Sequence, residues 1–147
     1  IQPNYLGGLQ VIVRSKFQGC GYSKQILNQA KNLFKAYDLV NLVIPIRPTE
    51  KHKFPRMPIA TYIKLKAKGK TYDSWIRTHL AGGAQIIKVC EKSMTMTGDI
   101  KFWESMLNKK IIKSGKYELE GALELISIDL NNNIGQYIEP NIWIKYN

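Results

Sequence analysis

A chain of 147 residues that is 44% hydrophobic is long enough for one globular domain with a single core. Its 22 basic residues against 11 acidic ones give a net charge of +11, which favours anionic partners: coenzyme A, nucleic acid or an acidic carrier-protein surface. No stretch approaches the roughly 20 apolar residues of a membrane span, and Cys20 and Cys90 are too few and too far apart for a disulfide framework or a CxxC metal site. Reduced thiols, no metal and a cytoplasmic setting are the expectation.

In chain order, Gly8 to Arg14 reads as a strand, with β-branched Val11, Ile12 and Val13 leading into a glycine-containing turn. Tyr22 to Tyr37 reads as an amphipathic helix, because Ile26, Leu27, Ala30, Leu33 and Phe34 recur on one face. Leu39 to Ile46 is a second, nearly all-apolar strand. Strand, helix and strand make a parallel βαβ unit with a right-handed crossover. Pro45 has no amide hydrogen, so this strand is expected to stop pairing or splay near its end.

Pro45, Pro48, Pro55 and Pro58 interrupt the next stretch, a basic loop without regular structure. In it His52 is expected to face solvent, and the scattered lysines, Lys51 among them, form a solvated basic face or an anion-binding one. Pro58 to Lys66 reads as a short helix started by its proline. A clearer helix, Trp75 to Ala81, is capped by Asp73 or Ser74 and stops at Gly82-Gly83. A strand at Gln85 to Val89, a helix at Ile100 to Leu107 and strands at Gly121 to Ile128 and Gln136 to Tyr146 follow. Asn131-Asn132-Asn133 turns the last two into an antiparallel pair. Trp75, Trp103 and Trp143 are expected to pack in the core or line a pocket. The class is α/β, with a mixed sheet.

The turn carries the chemistry. A strand that runs through glycines straight into a helix builds an anion site, since the first helical turn has unpartnered N–H groups at the positive end of the dipole. A dinucleotide motif would need a third glycine where Lys24 stands, and a Walker A loop would need Gly-Lys-Ser/Thr. Neither is present. The segment Lys16-Phe17-Gln18-Gly19-Cys20-Gly21 resembles the pyrophosphate loop of the GNAT acyltransferases, with Lys16 where that family has Arg or Gln. The runs IPIRPTEKHKFP, YDSWIRTHLAGGAQIIKVCEKSMTMTG, GALELISIDL and YIEPNIWIKY extend the likeness over residues 8–146 to the C-terminal part of a GNAT-like bacterial acyltransferase group.

The resemblance implies an acyl-CoA N-acyltransferase fold in a single domain, residues 1–147. It implies acetyl-CoA or another acyl-CoA as co-substrate and a small-molecule or protein amine as acceptor. The pyrophosphate would meet backbone amides from Phe17 to Tyr22, with Ser23 beside them and Lys16 and Lys24 adding charge. Val11, Ile12 and Val13 would border the pantetheine arm in a gap between the two strands. Family members carry several strands and two helices ahead of this loop, whereas fifteen residues precede Lys16. A fold lacking those N-terminal elements is therefore expected, in a fragment of a longer chain or with the layer supplied by a partner.

The family's frequent strand Glu has no counterpart here. The candidates for proton transfer are His79, whose type titrates near neutrality, with Tyr72 and Glu139 as further polar groups. Cys20, at a helix start, is either a reactive thiol or a small packing residue. Two other readings stay open: a non-catalytic binder of coenzyme A or an acyl carrier, and a basic nucleic-acid binder. Whether the chain forms a homodimer is open too.

Overall fold

The structure is a computed structural model that describes residues 3–147. In chain order the elements are β1 (Tyr5–Gly7), α1 (Tyr22–Ala36), β2 (Asn41–Ile46), α2 (Ile59–Tyr62), β3 (Lys66–Ala67), β4 (Lys70–Thr71), α3 (Ser74–Ala81), β5 (Gln85–Gly98), α4 (Ile100–Leu107), β6 (Gly115–Tyr117), β7 (Ile126–Asp129) and β8 (Ile134–Tyr146). Helices and a sheet with both parallel and antiparallel neighbours make the mixed α/β class expected. The chain divides into two compact units. One holds the residues up to Ile46 with Trp75–Lys88 and Ile142–Asn147; the other holds Arg47–Ser74 and Val89–Asn141.

In the first unit β1 and β2 are parallel, Tyr5 opposite Asn41 and Gly7 opposite Val43, with α1 as the crossover. The βαβ unit is therefore present, but its first strand lies upstream of the expected one. Residues 8–14 form no strand: Gly8 still donates to the Val43 carbonyl at 2.9 Å, and the chain then leaves the sheet. The β propensity of Val11–Val13 goes unused because no neighbour offers them a ladder, and Leu9 and Ile12 are 87% and 73% exposed.

Beyond that point β2 pairs only with β8, Leu42 opposite Tyr146 through Ile46 opposite Ile142. Pro45 does not end this pairing; it sits opposite Trp143 inside it. The bond from Gly8 shows that Val43 turns its polar groups toward β1. Alternation then points the nitrogen of Pro45 to the same side, where β1 has already departed and no donor is called for. On α1, Leu27 and Phe34 are buried, whereas Ile26 and Leu33 are nearly half exposed.

In the second unit, β6, β7 and β8 form an antiparallel meander. Ser127 faces Gln136 and Asp129 faces Ile134 across the expected asparagine turn, with Asp129 accepting from the Asn131 and Asn132 amides. One sheet face packs Ile126, Ile128 and Tyr137 around fully buried Trp103 of α4, together with Ile111 and Ala122. Helix α4 has the expected bounds because Asp99 caps it, accepting from the Phe102 amide at 2.7 Å. The β3–β4 hairpin and β6 were not expected, and β5 runs on to Gly98. The basic loop contains one short 3₁₀ turn, Lys51–Lys53. Lys51 is not on a solvated face. It is wholly buried and donates to the carbonyls of Phe54 and Leu123 at 2.9 and 2.6 Å, with Glu124 3.0 Å away.

Candidate functional site

The glycine turn lies in the first unit, between a 3₁₀ turn at Ser15–Phe17 and α1. Gly19 and Gly21 take φ values of 78° and 82°, the left-handed region where a side chain is strained and glycine is not. Gly21 is the N-cap of α1, and no side chain caps the helix in its place. Backbone bonding reaches Gln18, which donates to Ser15, and resumes at Lys24, which donates to Gly21. Among the described residues, the amides from Gly19 to Ser23 take no backbone partner.

Five N–H groups without a backbone partner, around two left-handed glycines at the positive end of a 15-residue helix, can donate to an anion. Phe17 and Tyr22 meet edge to face across the turn at 5.9 Å, and the Lys16 ammonium stands 4.8 Å from the Phe17 ring. Gln18 ties the turn back to the Val13 carbonyl through its side-chain amide at 3.1 Å. Cys20 is exposed, so it does no packing here. Val11 and Val13 are half-buried and Ile12 is exposed, in irregular backbone alongside the point where β1 and β2 part.

The fold is GNAT-like. The crystal structure of the loading GNATL domain of CurA from Lyngbya majuscula matches its fold with a TM-score of 0.56 over 98% of this chain and 55% of that one, at 17% identity. Arginine N-acetyltransferase avaD of Aspergillus versicolor is 27% identical over 163 residues, covering 98% of this chain and 56% of that protein. No family model matches the chain. It spans about half the length of the two proteins it resembles.

The three candidates for proton transfer in this GNAT-like fold have different surroundings. His79, in the first unit, is fully buried; its Nδ1 lies 2.8 Å from the Tyr146 hydroxyl, and its Nε2 has no partner. Burial lowers its pKa to about 4 and raises that of Tyr146 to about 12, so both are neutral at pH 7. Trp75 meets the imidazole edge to face at 4.3 Å.

Tyr72 and Glu139 both lie in the second unit. Tyr72 packs edge to face with Phe54 and Tyr62, at 5.6 and 6.1 Å. Glu139 is buried and accepts from the Tyr137 hydroxyl at 2.6 Å and from Arg47 Nε at 2.9 Å. Arg47 also donates to the Gly121 carbonyl at 2.8 Å, and Tyr137 accepts from the Leu123 amide at 2.9 Å. Burial and the Glu139 carboxylate push the Tyr137 hydroxyl up to about 12. Sequence reasoning missed Arg47 and Tyr137. The strand period could have found Tyr137, which shares a face with Glu139 two residues on, but nothing local links either to Arg47.

The second unit also holds a cleft of about 410 Å³ on the sheet face opposite Trp103. Among the described residues there is no group of three or more His, Cys, Asp or Glu able to hold a metal, and no helix is long and apolar enough to cross a membrane.

Proposed function

We propose that this chain is the acyl-CoA-binding part of an acyltransferase that moves an acyl group, acetyl in the first instance, from the coenzyme A thioester to an acceptor amine. The amine's lone pair attacks the thioester carbonyl carbon, the C–N bond forms and the C–S bond breaks. The departing thiolate takes up the proton that the nitrogen loses.

The observation that carries the proposal is the uncapped start of α1 behind Gly19 and Gly21. In this reading the pyrophosphate accepts from the amides of Gly19 to Ser23, with Lys16 and Lys24 supplying charge. The pantetheine arm follows residues 11–13 into the space that β1 leaves beside β2, past the Gly8–Val43 bond, where Pro45 has no strand opposite on that side. His79, with no exposed surface, holds the ring of Tyr146 in place and leaves proton transfer to more accessible groups or water. Of the other two candidates, Tyr72 is half-buried, whereas Glu139 is buried and already accepts from Tyr137 and Arg47, so Tyr72 is the more accessible. A cytoplasmic setting belongs to the same reading, supported by two free cysteines.

The test is turnover. Free thiol released from acetyl-CoA is followed with a panel of amines, beginning with arginine because the curated relative is named for it. Amine-dependent release supports the proposal; bound coenzyme A without release for any amine identifies a binding module instead.

A further inference from the structure

Seven lysines and arginines fall between Glu50 and Asp73, and no acidic residue does. Lys51, Lys53 and Arg56 each pair with a carboxylate, of Glu124, Glu50 and Glu118 respectively. The other four, Lys64, Lys66, Lys68 and Lys70, stand on the β3–β4 hairpin and its approach within the second unit. All four are exposed, and none has a carboxylate partner among the described residues. Lys66 reaches the Thr71 hydroxyl, at 3.4 Å.

The hairpin is anchored at its base and charged at its tip. The Tyr72 amide donates to the Leu65 carbonyl at 2.9 Å, and Thr71 is buried. Lys66 pairs with Thr71 and Ala67 with Lys70, which leaves a two-residue turn, Lys68-Gly69, at φ 50° and 75°. Such turns favour Asn-Gly, so lysine in the first place strains the backbone and puts a charge at the tip.

The chemistry of that tip selects among anionic partners. Protein interfaces are depleted of lysine and anchored by aromatic, Met and Arg side chains. The exposed run from Lys66 to Lys70 holds only lysine, alanine and glycine. A membrane surface calls for large apolar side chains beside the basic ones, and a single nucleic-acid strand for aromatic rings on which bases stack; the run has neither. Ammoniums alone suit the phosphate backbone of a duplex, where lysine contacts give affinity and carry no sequence information. A two-stranded β-ribbon also fits the B-form major groove, whereas the A-form groove of an RNA duplex is deep and narrow.

We infer that the β3–β4 hairpin docks duplex DNA, with Lys64, Lys66, Lys68 and Lys70 on its phosphates and no preference for sequence. The net charge of +11 adds long-range attraction. The inference does not depend on the acyltransferase reading.

The experiment follows the anisotropy of a fluorescein-labelled DNA duplex titrated with the whole chain, at salt from about 50 to 200 mM. Two variants are compared with wild type, one with Lys64→Gln, Lys66→Gln, Lys68→Gln and Lys70→Gln, the other with Lys88→Gln, Lys92→Gln, Lys101→Gln and Lys113→Gln. Every one of these lysines is exposed, so both variants keep the fold, which circular dichroism confirms, and both lower the net charge equally. The hairpin variant is expected to flatten the slope of log K against log salt by about 3.6, at about 0.9 per phosphate contact, and the control variant to keep most of the slope. A duplex of unrelated sequence is expected to bind equally. No binding by wild type, equal losses in the two variants, or stronger competition by single-stranded DNA or poly-L-glutamate than by unlabelled duplex of equal charge overturns the inference.

Discussion

Gly8 sits with its α-carbon against the side chain of Ile44, so close that a β-carbon there would lie 2.9 Å from Ile44 Cγ1. Its amide makes the last bond between β1 and β2 before the chain turns away toward the glycine loop. The place where the two strands part is thus set by the absence of a side chain. Gly8→Val should lower the unfolding free energy by about 1–3 kcal/mol through overpacking, whereas at Gly7 a β-carbon has nothing within 4 Å and Gly7→Ala should be nearly neutral. Denaturant titration of the two variants checks the contrast.

Trp103 makes a sharper demand. A β-carbon on Gly135 would come within 2.2 Å of Trp103 Cδ1, inside the core of the second unit. Gly135→Ala should cost several kcal/mol, at the upper end of the range for overpacking. Adding Trp103→Leu should recover part of the loss if the clash is its cause, read as non-additivity in a double-mutant cycle.

The Arg47–Glu139–Tyr137 cluster should respond according to which group is left bare. Tyr137→Phe removes the hydroxyl that donates to Glu139 and accepts from the Leu123 amide, and should cost about 1–3 kcal/mol. Glu139→Gln keeps the shape and should cost less than Glu139→Ala, which strands both Tyr137 and Arg47. Thermal denaturation of the three orders them; equal effects would show that the contacts contribute little.

His79 predicts a stability loss in acid. Its folded pKa, near 4, is below the ordinary 6.5, so the unfolded chain binds the proton more tightly. Stability from this group is present in full above about pH 6.5 and is lost as pH falls toward 4, by about 3 kcal/mol at 1.36 kcal/mol per unit. Wild type should therefore lose that much more than His79→Gln over this window, measured by urea denaturation at each pH.

Much of the frame was readable where local chemistry decides it. The expected helix Ile100 to Leu107 has those bounds in α4, and Gly19 and Gly21 ahead of an amphipathic run marked the start of α1. What eluded the sequence depends on partners. Val11–Val13 have strand composition but no neighbour, and the tiny β3–β4 hairpin turns on Lys68 and Gly69, both at positive φ, where only the glycine is a signal. Lys51 reads as surface and is buried because Glu124, far along the chain, meets it. Arg47 and Glu139 are brought together in the same way, across 92 positions.

The central claim is that the turn before α1 binds the pyrophosphate of coenzyme A. Calorimetric titration with desulfo-CoA of wild type, Gly21→Ala and Gly21→Glu tests it most directly, with circular dichroism confirming that each variant keeps its helices. Gly21 stands at φ 82° in open space, so alanine brings only backbone strain of about 1–2 kcal/mol. Glutamate adds a like charge at the anion cradle. The account predicts binding weakened by alanine and abolished by glutamate; equal affinity in folded wild type and Gly21→Glu would contradict it.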